Sequence, residues 1–327
     1  MKILIAIPAY NEQETLTDVL RVLPDEISGA GSIATLVVDD GSTDGTADAA
    51  RAGGAALICH ERNEGVGRAF QAAVEEALRR GVDAMVTIDA DGQFDARQIP
   101  ELVAPIIEGE ADLVTGSRFQ RSTRPEGMPL AKYLGNRMVA GLLRFLTGVG
   151  LSDVSCGFRT YSREAMLHLN LFGRFTYTQE TILDLSFKGL RIRELPITVK
   201  YFRGRRSRVA GSLSRYAINA SKIIVRSIRD FRPLRFFGTL GLAVFSLGLV
   251  LDAWVFHHYL NTGSFSPYKF VGFAGVALNA AGILVFGLAL LADMLDRMRV
   301  NQERLLYYQR KALYNRARHG TPPLEQE

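Results

Sequence analysis

From Met1 to about Thr115 the chain alternates short, mostly apolar runs with longer stretches in which apolar residues recur at helical spacing. The apolar runs predict strands at Lys2–Pro8, Ala34–Asp39, Ala55–His60, Ala84–Asp89 and Asp112–Thr115. The periodic stretches predict helices at about Asn11–Leu23, Asp44–Ala52, Glu64–Arg80 and Asp95–Glu108. Asn11 and Glu14 have the spacing of a capping box at the first of these. Strands apolar on both faces and separated by helices make an α/β fold with a mainly parallel, doubly wound sheet. On such a sheet, ligands bind beyond the carboxyl ends of the strands.

The later chain reads differently. Residues 117–160 are rich in Gly, Arg and Ser around a predicted helix at Leu130–Thr147. A helix at Thr178–Lys188 leads to strands at Arg191–Pro196 and Ile197–Tyr201. Between Leu213 and Phe231 apolar residues recur at helical spacing with Arg215, Lys222, Arg226 and Arg229 on other faces, the pattern of a helix lying in a membrane interface. Two long apolar runs follow. Phe236–Phe256 carries one charge, Asp252, and Phe270–Ala292 carries none. Each is long enough to cross a hydrocarbon layer, which needs roughly 20 residues. Asp252, beside Trp254 and His257, is expected to sit at the membrane interface. The connecting loop has a single Lys, whereas the flank beyond holds Arg297, Arg299, Arg304, Arg310 and Lys311. Positive-inside bias therefore places both the N-terminal domain and the C-terminal tail in the cytoplasm, on a multi-pass protein of the cytoplasmic membrane. The expected layout is a catalytic domain over 1–210, an interfacial amphipathic helix over 211–232, two transmembrane helices over 233–293 and a basic tail helix over 294–327.

Charge sharpens this picture. The formal net charge of +5 conceals 21 Lys/Arg against 27 Asp/Glu in residues 1–200, and ten against one in residues 201–235. So local a basic stretch suits a phosphate-rich partner or surface, and no nucleic acid is expected. Cys59 and Cys156 offer neither a disulfide framework nor metal-ligand spacing. The N-terminal apolar run is too short for a signal peptide.

The chemistry concentrates at strand ends. Thr87-Ile88-Asp89-Ala90-Asp91-Gly92-Gln93 closes a strand with two carboxylates and an amide, oxygen donors of the kind that hold Mg²⁺ against a diphosphate. It is no EF-hand, since Phe94 and Pro100 stand where Gly and Glu are needed. Val38-Asp39-Asp40-Gly41-Ser42 places adjacent carboxylates after a buried strand, where they receive sugar hydroxyls or base N–H groups or simply make a turn capped by Asp44. Tyr10 either stacks on a base or packs. Asn63-Glu64-Gly65-Val66-Gly67, Gly116-Ser117-Arg118 and Arg203-Gly204-Arg205-Arg206-Ser207-Arg208 combine close backbone approach with guanidinium groups suited to phosphate. Phe70 replaces the third glycine of a dinucleotide fingerprint, and no Walker-type Gly-Lys-Ser/Thr is present.

Ile7-Pro8-Ala9-Tyr10-Asn11-Glu12, Val38 to Asp44, the Asn63-x-Gly-x-Gly turn, Asp89-Ala90-Asp91 and Asp153-Val154-Ser155-Cys156-Gly157-Phe158-Arg159, in this order, resemble family 2 glycosyltransferases. Within them the chain resembles the polyprenyl- and dolichyl-phosphate hexose synthases over about residues 1–210. The resemblance implies a GT-A fold and a Mg²⁺- or Mn²⁺-dependent, inverting, non-processive transfer of one hexose. A nucleotide-sugar, with GDP-mannose favoured over UDP-glucose or UDP-N-acetylglucosamine, is the implied donor and polyprenyl or dolichyl phosphate the acceptor. By the same resemblance Pro8, Tyr10, Asn11, Glu12, Asp39, Asp40, Gly41, Ser42, Asn63, Gly67, Asp89, Ala90 and Asp91 surround the nucleotide-sugar. Asp89, Asp91 and Gln93 hold the metal; Asp89, Asp91, Arg118 and Asp153 are catalytic. Arg118, Arg159, Arg203, Arg205, Arg206 and Arg208 face the lipid phosphate, and Gln179-Glu180 matches a pair late in such domains. Whether the tail joins copies into a homo-oligomer stays open. A processive synthase is disfavoured because the only Trp, Trp254, lies in a span instead of a Gln-x-x-Arg-Trp element. A non-catalytic membrane scaffold on a transferase fold is the alternative from another class.

Overall fold

In the computed structural model, which describes residues 1–119, 124–125, 127–171, 177–200, 229 and 233–319, the apolar runs become β1 (Lys2–Ala9), β2 (Ser32–Asp39), β3 (Ala56–Cys59), β4 (Ala84–Thr87) and β5 (Leu113–Ser117). Two further strands, β6 (Arg159–Ser162) and β7 (Ile192–Pro196), complete a seven-stranded sheet of order β3-β2-β1-β4-β6-β5-β7. All neighbours run parallel except β6, which is antiparallel to both β4 and β5. Ile3 to Ile7 are at most 1% exposed, which is why β1 carries no polar face.

The helices are α1 (Gln13–Arg21), α2 (Thr46–Ala52), α3 (Val66–Arg79), α4 (Ile99–Ile107), α5 (Leu130–Thr147), α6 (Arg163–His168) and α7 (Thr178–Phe187). Ile99, Leu102, Val103 and Ile106 of α4 join β1 and β4 side chains in one core. Phe70 of α3 stacks on Tyr177, ring centres 4.1 Å apart.

One strand was not expected, and two expectations need correction. The strand β6 escapes a polarity reading because Arg159, Thr160 and Tyr161 are all buried, the reverse of their usual placement. The expected strand at Ile197–Tyr201 is, within the described residues, a single bridge from Val199 to Phe94. The capping box does not form: Glu12 is the N-cap of α1 and makes no side-chain cap bond. Asn11 instead adopts a left-handed backbone, φ +51°, and its Oδ1 accepts from the Thr43 backbone N–H at 2.8 Å.

The chain divides into two compact units, one of Met1–Ser221 with Leu305–Glu327, the other of Lys222–Arg304. In the second, the helix Pro233–Thr262 and the first part of Lys269–His319 are long and apolar enough to cross a membrane. Their contact is built from small residues: a Cβ on Gly282 would stand 2.7 Å from the Phe245 backbone, and one on Gly248 2.7 Å from the Gly275 carbonyl. Asp252, expected merely to seek the interface, is engaged across this pair, accepting a 2.5 Å hydrogen bond from the Asn279 amide.

The last residues of the long helix, from Leu305, pack within the first unit. Tyr307 donates to Glu164 at 2.8 Å, Arg310 to the Leu169 carbonyl, and Tyr314 (1% exposed) and Arg318 both to Asp83. The basic run from Arg203 to Arg208 and the interfacial helix expected over 211–232 lie outside the described residues, save Arg229.

Candidate active site

The order β2-β1-β4 sets three polar strand ends side by side, because parallel neighbours end on the same edge. After β1 and β2 the two loops bind each other. The Asn11 N–H donates to Ser42 Oγ at 2.9 Å, and the Glu12 N–H to Thr46 Oγ1 at 2.9 Å. Asp39 accepts from the Ser42 N–H at 3.0 Å. Gly41 is required here: its φ is +72°, and a Cβ would stand 2.7 Å from the Asn63 nitrogen. Pro8, Tyr10, Asn11, Glu12 and Ser42 line the edge half-buried, and Asn63 is exposed. Gly67 is buried in the first turn of α3, behind this rim.

Asp40 departs from expectation. It is 4% exposed, and its carboxylate is engaged by His60 Nδ1 at 2.8 Å and by the backbone N–H groups of Glu64 and Gly65 at 3.0 and 2.8 Å. It therefore shapes the Asn63–Gly67 turn from behind.

Beyond β4, Asp91 closes a tight turn by accepting from the Gln93 N–H at 3.0 Å, with Gly92 at φ +69°. Asp89 lies against Gly157, where a Cβ would stand 2.9 Å from its Oδ1. The Gly157 carbonyl in turn accepts from Thr87 at 2.7 Å and from Tyr177 at 3.4 Å. Burial first, then the neighbouring Asp91 charge, pushes Asp89 up to about 7, with Glu12 adding to the rise and Arg118 and Lys132 opposing it. Two carboxylates that resist joint ionisation are stabilised by a cation between them. The all-oxygen donor set and the room left by Gly157 fit a hard divalent ion. Among the described residues no group of three or more His, Cys, Asp or Glu side chains converges.

The fourth wall is the loop from Ser152 to Phe158. Asp153, 0% exposed, takes Arg118 in a two-pronged pair, Nε to Oδ2 at 2.6 Å and Nη2 to Oδ1 at 2.8 Å. Burial alone would raise Asp153, but Arg118 outweighs it and holds the carboxyl below its usual range. Arg118 Nη2 also donates to Ser155 Oγ at 2.7 Å. Asp153, expected among the catalytic groups, is thus sealed away and acts by orienting Arg118.

Arg159 is likewise corrected. Expected at the lipid phosphate, it is 0% exposed and donates to the carbonyls of Cys156 at 2.8 Å, Thr178 at 2.6 Å and Val154 at 3.3 Å, and to Thr181 Oγ1 at 2.7 Å. It fastens the loop to α7 from beneath. Gln179 and Glu180 sit in the first turn of that helix, Gln179 only 3% exposed.

Two residues escape the sequence reading. Lys132, in the first turn of α5, is desolvated and faces Arg118, Asp153, Asp89 and Asp91; burial and then Arg118 lower its pKa. Glu194 on β7 accepts from the Ser152 N–H at 2.9 Å, Ser152 Oγ at 2.7 Å and the Asp153 N–H at 2.8 Å. Ser152 Oγ then accepts from Ser117, at 2.8 Å. Glu194 thereby pins both the loop that carries Asp153 and the strand end that carries Arg118. Neither carries a local signal: Glu194 follows Arg193 in a short mixed strand, and Lys132 merely opens a helix.

Residues 4–169 match the family described as glycosyl transferase family 2. The chain belongs to glycosyl transferase family 2. Relatives include a glycosyltransferase (AglJ) of Haloferax volcanii, 30% identical over 295 residues, 88% of this chain and 91% of the relative. The polyprenol monophosphomannose synthase of Mycolicibacterium smegmatis is 31% identical, covering 66% of this chain and 83% of its own. A UDP-N-acetylglucosamine–dolichyl-phosphate N-acetylglucosaminyltransferase of Methanococcus voltae is 30% identical, covering 61% and 86%. Among solved structures, glucosyl-3-phosphoglycerate synthase of Mycobacterium tuberculosis with uridine diphosphate superposes with a TM-score of 0.55 at 24% identity, over 69% of this chain and 80% of that one. The catalytic unit of this glycosyltransferase has the GT-A architecture.

Proposed function

We propose that the protein transfers a single hexose from a nucleoside-diphosphate sugar to polyprenyl or dolichyl phosphate, with inversion, at the cytoplasmic membrane face. The observation that carries this reading is the half-buried Asp89–Asp91 pair, with Asp89 pushed up to about 7, beside Arg118 and Lys132 in a chain with two helices long and apolar enough to cross a membrane. The relatives named above that act on polyprenol and dolichyl phosphate support the acceptor class. Their sugars differ, so the donor rests on general resemblance, with GDP-mannose favoured.

Asp89, Asp91 and the Gln93 amide would hold Mg²⁺ or Mn²⁺, which when bound neutralises a departing diphosphate. The rest of the chemistry follows from charge. An acceptor phosphate monoester is already ionised near pH 7. One of its oxygens forms a bond to the anomeric carbon while the bond to the diphosphate oxygen breaks, the electron pair leaving with the nucleoside diphosphate. No strong base is needed. Arg118, fixed by Asp153, and Lys132 supply positive charge where the two phosphates meet. Tyr10 and Ser42 line the adjoining rim for the nucleoside, with Asp39 (4% exposed) bonded to the Ser42 N–H behind them, and Arg203, Arg205, Arg206 and Arg208 are proposed for the lipid phosphate.

The test is radiolabelled sugar transfer to polyprenyl phosphate by membranes containing the protein, across a donor panel, with Mg²⁺ or EDTA. EDTA-sensitive transfer from one donor, lost in Asp91→Ala, is expected. A folded protein that transfers from no donor would refute the reading and favour the scaffold.

A further inference from the structure

The helix α5 presents two unlike faces. Inward, Asn136, Val139, Ala140 and Leu143 are 1–5% exposed, and Lys132 points to the site. Outward, Leu130, Leu134, Met138, Leu142 and Phe145 are 56, 55, 63, 38 and 84% exposed. They follow one another four, four, four and three residues apart. At about 100° per residue they occupy one arc of roughly 120°, and Arg137 and Arg144 border its edge. Both arginines are exposed, and none of the 18 residues of α5 is acidic. A continuous stripe of large apolar side chains is costly to leave in water, and in soluble proteins such a stripe marks an interaction site.

We propose that this face of α5 docks into the headgroup layer of a lipid bilayer with anionic lipid. The charge pattern selects that occupant: an apolar arc bordered by arginines, without acids, has the composition of a helix that lies in a membrane interface. The same chain carries two helices long and apolar enough to cross a membrane. The consequence for catalysis rests on the proposed function: a docked α5 holds Lys132, on its inner face, close to the layer where a lipid phosphate resides. The docking itself stands independently of that reading.

The experiment uses the full chain in nanodiscs of phosphatidylcholine and phosphatidylglycerol in equal parts. In a Cys59→Ser background, with Cys156 buried and unreactive, Phe145→Cys, Met138→Cys and the exposed control Glu108→Cys are each labelled with an environment-sensitive fluorophore. At 145 and 138, quenching by nitroxide on lipid acyl chains should exceed that at 108 several-fold, and aqueous iodide should quench several-fold less. Arg137→Glu with Arg144→Glu should reduce the lipid quenching. The proposal is overturned if 145 and 138 behave like 108. It is equally overturned if they are shielded from iodide yet not quenched from the lipid, which would mean that a second copy covers the face. None of these readouts requires turnover, so a failed docking leaves the sugar-transfer assay free to succeed, and the reverse.

Discussion

Replacing Asp153 by Asn is the most direct probe of how the site is held. The carboxylate is 0% exposed and bonds Arg118 through both oxygens, at 2.6 and 2.8 Å, while Arg118 itself is almost wholly covered, 6% exposed in its side chain. Asparagine keeps the shape but turns an NH₂ toward a guanidinium N–H and removes the charge that pairs with Arg118 through both oxygens. Breaking a buried pair from one side costs about 3–5 kcal/mol, against a total stability of roughly 5–15 kcal/mol for a domain. For a unit of this size each kcal/mol moves the melting point by about 2–4 °C, so a fall of about 6–20 °C is expected. The fully buried Cys156 thiol is the built-in reporter. Its reaction with a thiol dye during heating, in the Cys59→Ser background, reads the opening of the loop directly. Arg118→Met with Asp153→Leu should recover most of the lost stability, because both charges leave together, yet should remain inactive in sugar transfer. A melting point within about 2 °C of the parent in Asp153→Asn would refute the reasoning, as would a double variant no more stable than the single one.

Gly157→Ala should leave the fold intact but cut transfer at least about tenfold and raise the divalent-ion concentration needed, since its Cβ would stand 2.9 Å from Asp89 Oδ1; metal titrations of the rate check this. Glu194→Gln should lower kcat by about 10- to 100-fold with a melting shift of only a few degrees, because one of its charge-assisted bonds becomes an N–H facing an N–H and loosens Arg118. An unchanged kcat with a large melting shift would assign Glu194 to stability alone. At the tail contact, burial would raise Asp83, but the Lys2 N–H, Tyr314 and Arg318 hold it below its ordinary value. A depressed carboxylate contributes stability that is complete above its unfolded pKa, about 3.9, and is lost as pH falls through the lower folded value. Proteolysis between Arg304 and His319 should therefore accelerate only below about pH 4, and Asp83→Asn should show that acceleration at neutral pH.

The five opening strands and the helices between them were legible because a strand covered on both faces admits little but apolar residues, and because caps, glycines and charges mark where each run stops. The acidic strand ends were legible for a related reason: carboxylates that follow a buried strand are expensive unless something receives them. Other features were invisible because they invert ordinary rules. The strand β6 is made of Arg-Thr-Tyr-Ser and yet is buried at the centre of the sheet. Asp40, Asp153 and Arg159 look like ligand-binding groups by type and position, but each is spent on backbone or on a neighbour.

By itself the sequence determined an α/β domain with carboxylates and glycines at its strand ends and two long apolar runs behind it, since periodicity, turn chemistry and run length are local properties; the family came from the order of its motifs. Only the tertiary structure decided which charged residues face outward to a ligand and which face inward to hold the site. A side chain's partners come from segments far away in the chain: Glu194 reaches Ser152 and Asp153, Tyr314 and Arg318 reach Asp83, and Lys132 reaches Asp89. Charge and type can be read along a line. Whether a charge is satisfied by its own protein is a question of three-dimensional neighbourhood.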